Sequence, residues 1–477
     1  MPIYKDHSFR LGASGASAEA PVYEIDQSIR FNQAENASMS RTPSSASSRT
    51  TWTFSWWWKR GNLSGSTNGT NQRQPIFGTT AFSILSNHNS TQIDGINVVY
   101  TGSANDIQTS EKYRDVSAWY HFVFVLDTTN EVSSERVRLY KNGERVTSFA
   151  SITYPSKDTQ YTVNNTQAHY IGLRNSGENL DGYLAEMHFV DGYAYGPEFF
   201  GTTNSSGIWI PIDYDTTTGN YGTNGFKIDG SDSATLGKNV ATGNTYASYT
   251  STGLAAHDKV LDTPNNIFAV FNSLVVKNAV NGGASLSEGN LRVTAGSGGS
   301  DSRHYPGTVA NHIGISPGKY YFEFYIKNKS SATGDNTNYL GVFRTDGSAM
   351  GPVYDYKGNV YTGSWQGNGT LTAWSNDDII GVAMDVSGSE SKAQFYLNGS
   401  AEGSEYTATG QDDKGLGLTG GVRAQHSGDI IVNFGQDSTF AGNTTAGGNS
   451  DSKGIGNFKY SVPTGYFALC TRNLFTG

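Results

Sequence analysis

One cysteine, Cys470, is all the chain has, so no intrachain disulfide, cysteine-rich zinc site or CxxC redox pair can form. Stability has to come from packing. Charged residues are scarce at 16%, against about 25% in an average protein, and no stretch follows the Ala/Glu/Lys/Leu pattern of a helix bundle or coiled coil. Basic residues are in deficit: 33 Lys+Arg against 42 Asp+Glu leave a net charge of −9. That sign argues against nucleic acid as a partner, since phosphate binding needs a basic surface. No run of about 18 apolar residues exists to insert into a membrane. The N-terminal MPIYKDHSFRLGASGASAEAP lacks the basic start and apolar stretch of a secretory signal, so assembly in a cytosol is expected.

Glycine and aromatic residues are abundant. Among 477 residues there are 58 Gly, 28 Tyr, 23 Phe and 8 Trp, the composition of short strands joined by tight turns. The length allows two or three domains, and helix below ~10% is expected, against a base rate of ~30%.

Residues 1–27 read as a polar arm whose apolar anchors are Tyr4, Phe9, Leu11, Val22 and Tyr23, either a disordered tail or a segment that docks on a neighbouring subunit. From Ile29 the period becomes two. In Thr51–Lys59 (TWTFSWWWK), Trp52, Phe54, Trp56 and Trp58 share one face, and Trp57 stands on the other. Trp119–Leu126 is apolar on both faces, as a strand covered on both sides should be. Asn142-Gly143 and Asn398-Gly399 mark type I′ hairpin turns in two separate runs of strands. These features divide the chain into an arm (1–27), a first sandwich (28–195), a connector packed on it (196–285), a second sandwich (286–440) and a C-terminal tail (441–477), with 441–454 read as a mobile loop. The fold class is all-β.

Two family resemblances rest on these strings. SIRFNQAENASMSR, TFSWWWKRG, AWYHFVFVLDTT, RVRLYKNGERV and YIGLRNSGENLDGYLAEMHFVDG, over 28–192, resemble the concanavalin A-like, laminin-G-type jelly roll. GKYYFEFYIK, LGVF, DDIIGVAMDVSGSESKAQFYLNG and DIIVNFGQ, over 286–436, look like a SPRY domain. Their order, with VLDTPNNIFAVFNSL between them and PTGYFALCTRNL at the end, is similar to structural proteins of tailed, especially marine, bacteriophages. That resemblance implies a virion component of the tail fibre, spike or decoration type.

Catalytic signatures are missing. No serine has glycines at both −2 and +2, as a nucleophile elbow needs. Asp181, Glu186 and Asp191 in the closing strand are five apart, an odd spacing that puts neighbours on opposite faces, whereas jelly-roll glycosidases need paired carboxylates. The chain is expected not to be an enzyme, unless carboxylates such as Glu178, Glu186, Glu323 and Asp385 meet between subunits. GLGLTG at Gly415–Gly420 matches a dinucleotide fingerprint as a string but leads into a strand rather than a helix.

No cofactor is expected, with calcium as the one candidate. Laminin-G-like domains often bind it at the sandwich rim, where Asp127 and Asp181 are candidate ligands or else turn caps. Mid-strand His121 reads as a structural, hydrogen-bonded residue. Trp57 is the candidate glycan-stacking residue, unless the connector covers it. The expected function is adsorption to host-surface polysaccharide from the virion surface, with the arm contacting other virion proteins and a homotrimer by analogy with fibres. The alternatives are a capsid or tail decoration protein without a ligand, and a polysaccharide depolymerase.

Overall fold

The computed structural model describes residues 23–63, 73–86, 94–100, 106–174, 177–217, 219–242, 247–271, 284–295, 302–304, 306–307, 318–329, 338–344, 350–362, 371–408, 418–424 and 428–474. Tyr4, Phe9, Leu11 and Val22 of the expected arm lie outside them. The chain divides into two compact units, one of residues 1–60, 70–259 and 263–265, the other of 61–69, 260–262 and 266–477. Both are antiparallel β-sandwiches. The one α-helix among the described residues is a single turn, Tyr214–Thr217, and no described helix is long and apolar enough to cross a membrane.

In the first unit one sheet runs, in spatial order, Glu144–Arg145, Val137–Lys141, Trp119–Asp127, Thr51–Arg60, Gly182–Asp191 and Ser28–Phe31. The facing sheet runs Phe149–Ile152, Ile107–Thr109, Ile96–Val99, Ser83–Ser86, Gln74–Gly78, His169–Ile171, Ser38–Arg41 and Thr250–Thr252. Strand alternation puts Trp52, Phe54, Trp56 and Trp58 between the sheets with Phe122, Phe124 and Leu126. Trp52 meets Phe82 edge-on at 5.3 Å, and Phe54 stacks on Phe77 at 4.5 Å, the geometries that ring quadrupoles favour. At the hairpin tips Asn142 and Gly143 have φ 47° and 83°, and Asn398 and Gly399 have φ 49° and 82°, the positive angles a type I′ turn requires.

The alternate face of Trp119–Leu126 carries Val123 and Val125, which form a second, outer core with Val190, Phe200, Tyr214 and Tyr221. Residues from the expected connector therefore cover the outside of this sheet. The segment 196–285 does not stay together, however. Its part to Lys259 belongs to the first unit, and Phe268 packs in the second with Tyr321, Phe458, Ala468 and Cys470.

The second unit sets one sheet, Ala284–Ser287, Arg292–Ala295, Asp429–Asn433, Lys319–Asn328, Ile379–Asp385, Ser391–Leu397 and Ser400–Ala408, beside another, Ser302–His304, Leu418–Ala424, Tyr339–Arg344, Met350–Asp355 and Val360–Thr362. Residues 441–474 are not a free tail. Asp451 accepts from Lys453 N, Ile455 N, Ala468 N and Asn473 Nδ2, which holds the loop expected to be mobile. Buried Glu323, mid-strand, accepts from the backbone N–H groups of Lys459 and Tyr460 at 2.8 and 2.9 Å.

Candidate functional site

Three places in the first unit bring chemistry-bearing residues together. The first is the outer face around Trp57. Its ring lies 4.8 Å from that of His121, and Trp57 is only 5% exposed, so it offers no face to a sugar. His121 is in turn stacked by Trp209 at 5.9 Å, whose Nε1 donates to His121 Nδ1 at 3.0 Å. Trp209 fits because a Cβ at Gly143 or Gly201 would collide with its ring. With Nδ1 accepting, the His121 proton sits on Nε2 and faces Ser55 Oγ at 2.8 Å. Burial holds the His121 pKa down to about 3, so the ring is neutral and structural.

The second place is a buried polar cluster on the same face. Leu184, Met187 and Phe189 point into the core, while His188 pairs with Ser55 after a register shift between Ala185 and His188. This bulge adds one residue, so Ala185 and Glu186 both leave the core face, with Glu186 at φ 39°. Counting by twos along the strand misassigns Glu186 for that reason. Its Oε1 accepts from Tyr23 OH at 2.8 Å and lies 3.0 Å from His188 Nε2 and 3.7 Å from Lys227 Nζ. Lys227 Nζ also donates to Asp215 Oδ2 at 3.0 Å, and His188 Nδ1 meets Tyr221 OH at 2.9 Å. The alternation Glu186-x-His188 was legible as two reactive side chains two apart; the bulge that turns them outward was not.

Asp191 does not join this cluster. It accepts from Ser48 N, Asn164 Nδ2 and Asn224 N, which ties three loops to the strand end. Glu178 is held by Arg73 at 2.7 Å, and Asp385 by Lys319 at 3.0 Å.

The calcium candidates are not brought together. Asp127 pairs with Thr51, and Gly182, next to Asp181, pairs with Arg60. The two aspartates therefore lie beside opposite ends of the strand Thr51–Arg60, roughly 30 Å apart at about 3.3 Å per residue. One ion cannot bridge them. Asp127 Oδ1 caps a turn by accepting from Thr129 N and Oγ1, while Asp181 is buried near Arg60. Among the described residues the trio able to offer three ligand atoms is Glu35, His257 and Asp258, all within 4.8 Å of one another. Asp258 already engages Arg30 at 3.4 Å and Ala255 N at 2.9 Å. The adjacent guanidinium opposes a further cation there.

The third place is an open groove of about 620 Å³ lined by residues 233–236, 248–251 and 254–256. Hydroxyls of Ser233, Thr235, Thr250 and Ser251 alternate with Leu236 and Leu254, and no charged residue lines it. Nothing in the sequence pointed to it, because its walls are short irregular clusters rather than a periodic pattern.

Residues 34–195 match the family model of the concanavalin A-like lectin/glucanases superfamily. The first sandwich has the concanavalin A-like fold. No curated protein matches the chain. Among solved structures, the chain is similar to the SPRY domain of human HERC1 (21% identity, 30% of this chain and 87% of that one, TM-score 0.23). It is also similar to a heptameric SAP-like pentraxin from Limulus polyphemus (15%, 36% and 78%, TM-score 0.26). A third is the catalytic domain of a family 131 glycoside hydrolase from Coprinopsis cinerea (16%, 30% and 66%, TM-score 0.22). These three likenesses are too slight to bear on mechanism.

Proposed function

We propose that the chain is a non-enzymatic carbohydrate-binding protein displayed on a tailed-phage particle, where it contacts host-surface glycan. The observation that carries glycan binding is the groove at residues 233–256. Its size suits a short saccharide, and its hydroxyl-and-aliphatic, uncharged lining suits a neutral one. The concanavalin A-like fold of the same unit is compatible with carbohydrate binding. Absence of hydrolysis is supported by the state of the carboxylates: Glu186 and Asp215 are both engaged by Lys227, and Glu186 is buried beneath Tyr23.

The particle setting rests on the order of the two sandwiches and on the arm. Of the expected anchors only Tyr23 lies among the described residues, and it is docked on Glu186 and Lys227 of its own chain, so it does not serve as an anchor on another virion protein. A single shallow site gains avidity by repetition, so a closed homotrimer is part of the reading.

Binding to immobilised neutral saccharides tests the groove. Thr235 is exposed, so Thr235→Trp fills the groove without disturbing the core. Affinity should fall about tenfold or more. Unchanged affinity in the variant would move the site elsewhere. Antibody labelling of intact particles tests the setting, with label expected on the outer surface and its absence from purified particles contradicting it.

A further inference from the structure

We propose that Lys227 and Asp215 condense into an intramolecular amide, with Glu186 relaying the protons. The parts required are an amine, a carboxyl group beside it, a second carboxylate in reach of the amine and shelter from water. Lys227 Nζ sits 3.0 Å from Asp215 Oδ2 and 3.7 Å from Glu186 Oε1, with the three side chains 9%, 13% and 4% exposed. Aromatic residues enclose them: His188 stacks on Tyr221, Tyr214 meets Tyr221 edge-on, and the Tyr23 ring lies 5.6 Å from Nζ.

Lys227 is presented by the strand Phe226–Ile228, which pairs with Met187–Phe189, so the amine is fixed in register beside the bulge. Glu186 reaches the amine only because the bulge holds it at φ 39° in the middle of a strand. A non-glycine residue in that region is strained, and such strain persists where the surroundings enforce it.

The chemistry balances within the cluster. Glu186 takes a proton from the Lys227 ammonium, and the freed lone pair attacks Cγ of Asp215. The N–C bond forms, one C–O bond breaks, and that oxygen leaves as water with two of the three ammonium protons, both carried by Glu186. Positive and negative charge cancel, and no oxidant or activating nucleotide is needed. Burial disfavours the ammonium, but Glu186, the Tyr23 phenol and Asp215 outweigh it and raise the Lys227 pKa, so the unreacted state is an ion pair. Condensation replaces that partly desolvated pair with a neutral amide, and the fixed geometry supplies the effective concentration. In a chain with a single cysteine, the bond staples the segment after Trp209 to the sandwich.

Mass spectrometry of the denatured full-length chain decides the matter. The mass is expected to fall short of the sequence mass by one water, and a protease digest should contain a branched peptide joining the Lys227 and Asp215 segments. Lys227→Arg should restore the full mass, and Asp215→Asn should lose ammonia in place of water. Glu186→Gln, checked as folded by circular dichroism, should accumulate uncondensed chain. A folded wild-type chain at full sequence mass would overturn the proposal, as would a water loss mapped to a succinimide at an Asp-Gly step such as Asp229-Gly230.

Discussion

Asp94→Ala is expected to destabilise the first unit by about 3–5 kcal/mol, the range for removing one partner of a buried ion pair. Asp94 lies between two arginines, with Oδ1 2.8 Å from Arg60 Nη1 and Oδ2 2.7 Å from Arg114 Nε. Arg60 is fully buried; burial pushes its guanidinium pKa down, and the Asp94 carboxylate is the largest influence opposing that. Without Asp94 the charge at Arg60 stays in a desolvated place with weaker support, which includes the Tyr113 carbonyl 3.3 Å from Nη1 and the nearby Asp181. Arg114 is 51% exposed, so Arg114→Ala should cost no more than about 1 kcal/mol. Urea unfolding followed by tryptophan fluorescence reads this unit, because six of the eight tryptophans (Trp52, Trp56, Trp57, Trp58, Trp119 and Trp209) lie in it. Equal effects of the two substitutions would show that the pair does not carry the stability assigned to it.

The second unit is expected to lose stability as pH rises from about 4.5 to about 7, and Glu323→Gln should remove that slope. Burial in the strand Lys319–Asn328 pushes the Glu323 pKa from 4.5 up to about 7, against the pull of four donors: the Lys459 and Tyr460 N–H groups, Asn433 Nδ2 and Tyr321 OH. A raised carboxyl pKa means that the folded state holds its proton more tightly than the unfolded one. The contribution is therefore complete below pH 4.5 and is lost as pH passes through 7. The difference between 4.5 and about 7 corresponds to about 3 kcal/mol. Denaturant midpoints across pH 4–8 for wild type and Glu323→Gln measure it, and parallel curves would contradict it. Because Glu323 ties residues 459–460 to the sheet, separation of that segment is the first expected consequence of losing it.

The architecture was largely legible in the sequence, and the reasons are physical. TWTFSWWWK alternates with period two, and its four core residues do face the opposite sheet. Trp119–Leu126 is apolar on both faces because the outer side of its sheet carries a second core. The Asn-Gly turns follow from the positive φ angles they adopt.

The site was much less legible. Trp57 was readable as an outward aromatic, but it packs on His121, which is stacked by Trp209, 152 positions beyond Trp57 in the chain and seated by the smallness of Gly143 and Gly201. The odd spacing that set Asp181 and Glu186 on opposite faces does not hold, because one bulge reverses the parity of every residue beyond it. Asp127 and Asp181 both sit at loop ends, which is visible in sequence; that they flank opposite ends of the strand Thr51–Arg60 is a matter of register. Lys227 meets Asp215 across a stretch with no periodic signature, and the groove at 233–256 is lined mostly by Ser, Thr and Ala, with Leu236, Tyr249 and Leu254 spaced without a period.

The most direct test of a binding protein that leaves its ligand intact is to incubate the full-length chain with neutral polysaccharides and to measure retained protein and new reducing ends in the same samples. Saturable retention that Thr235→Trp abolishes, with no rise in reducing ends, is the predicted result. Failure to retain any neutral saccharide, or sustained release of reducing ends that Glu186→Gln stops, would contradict it.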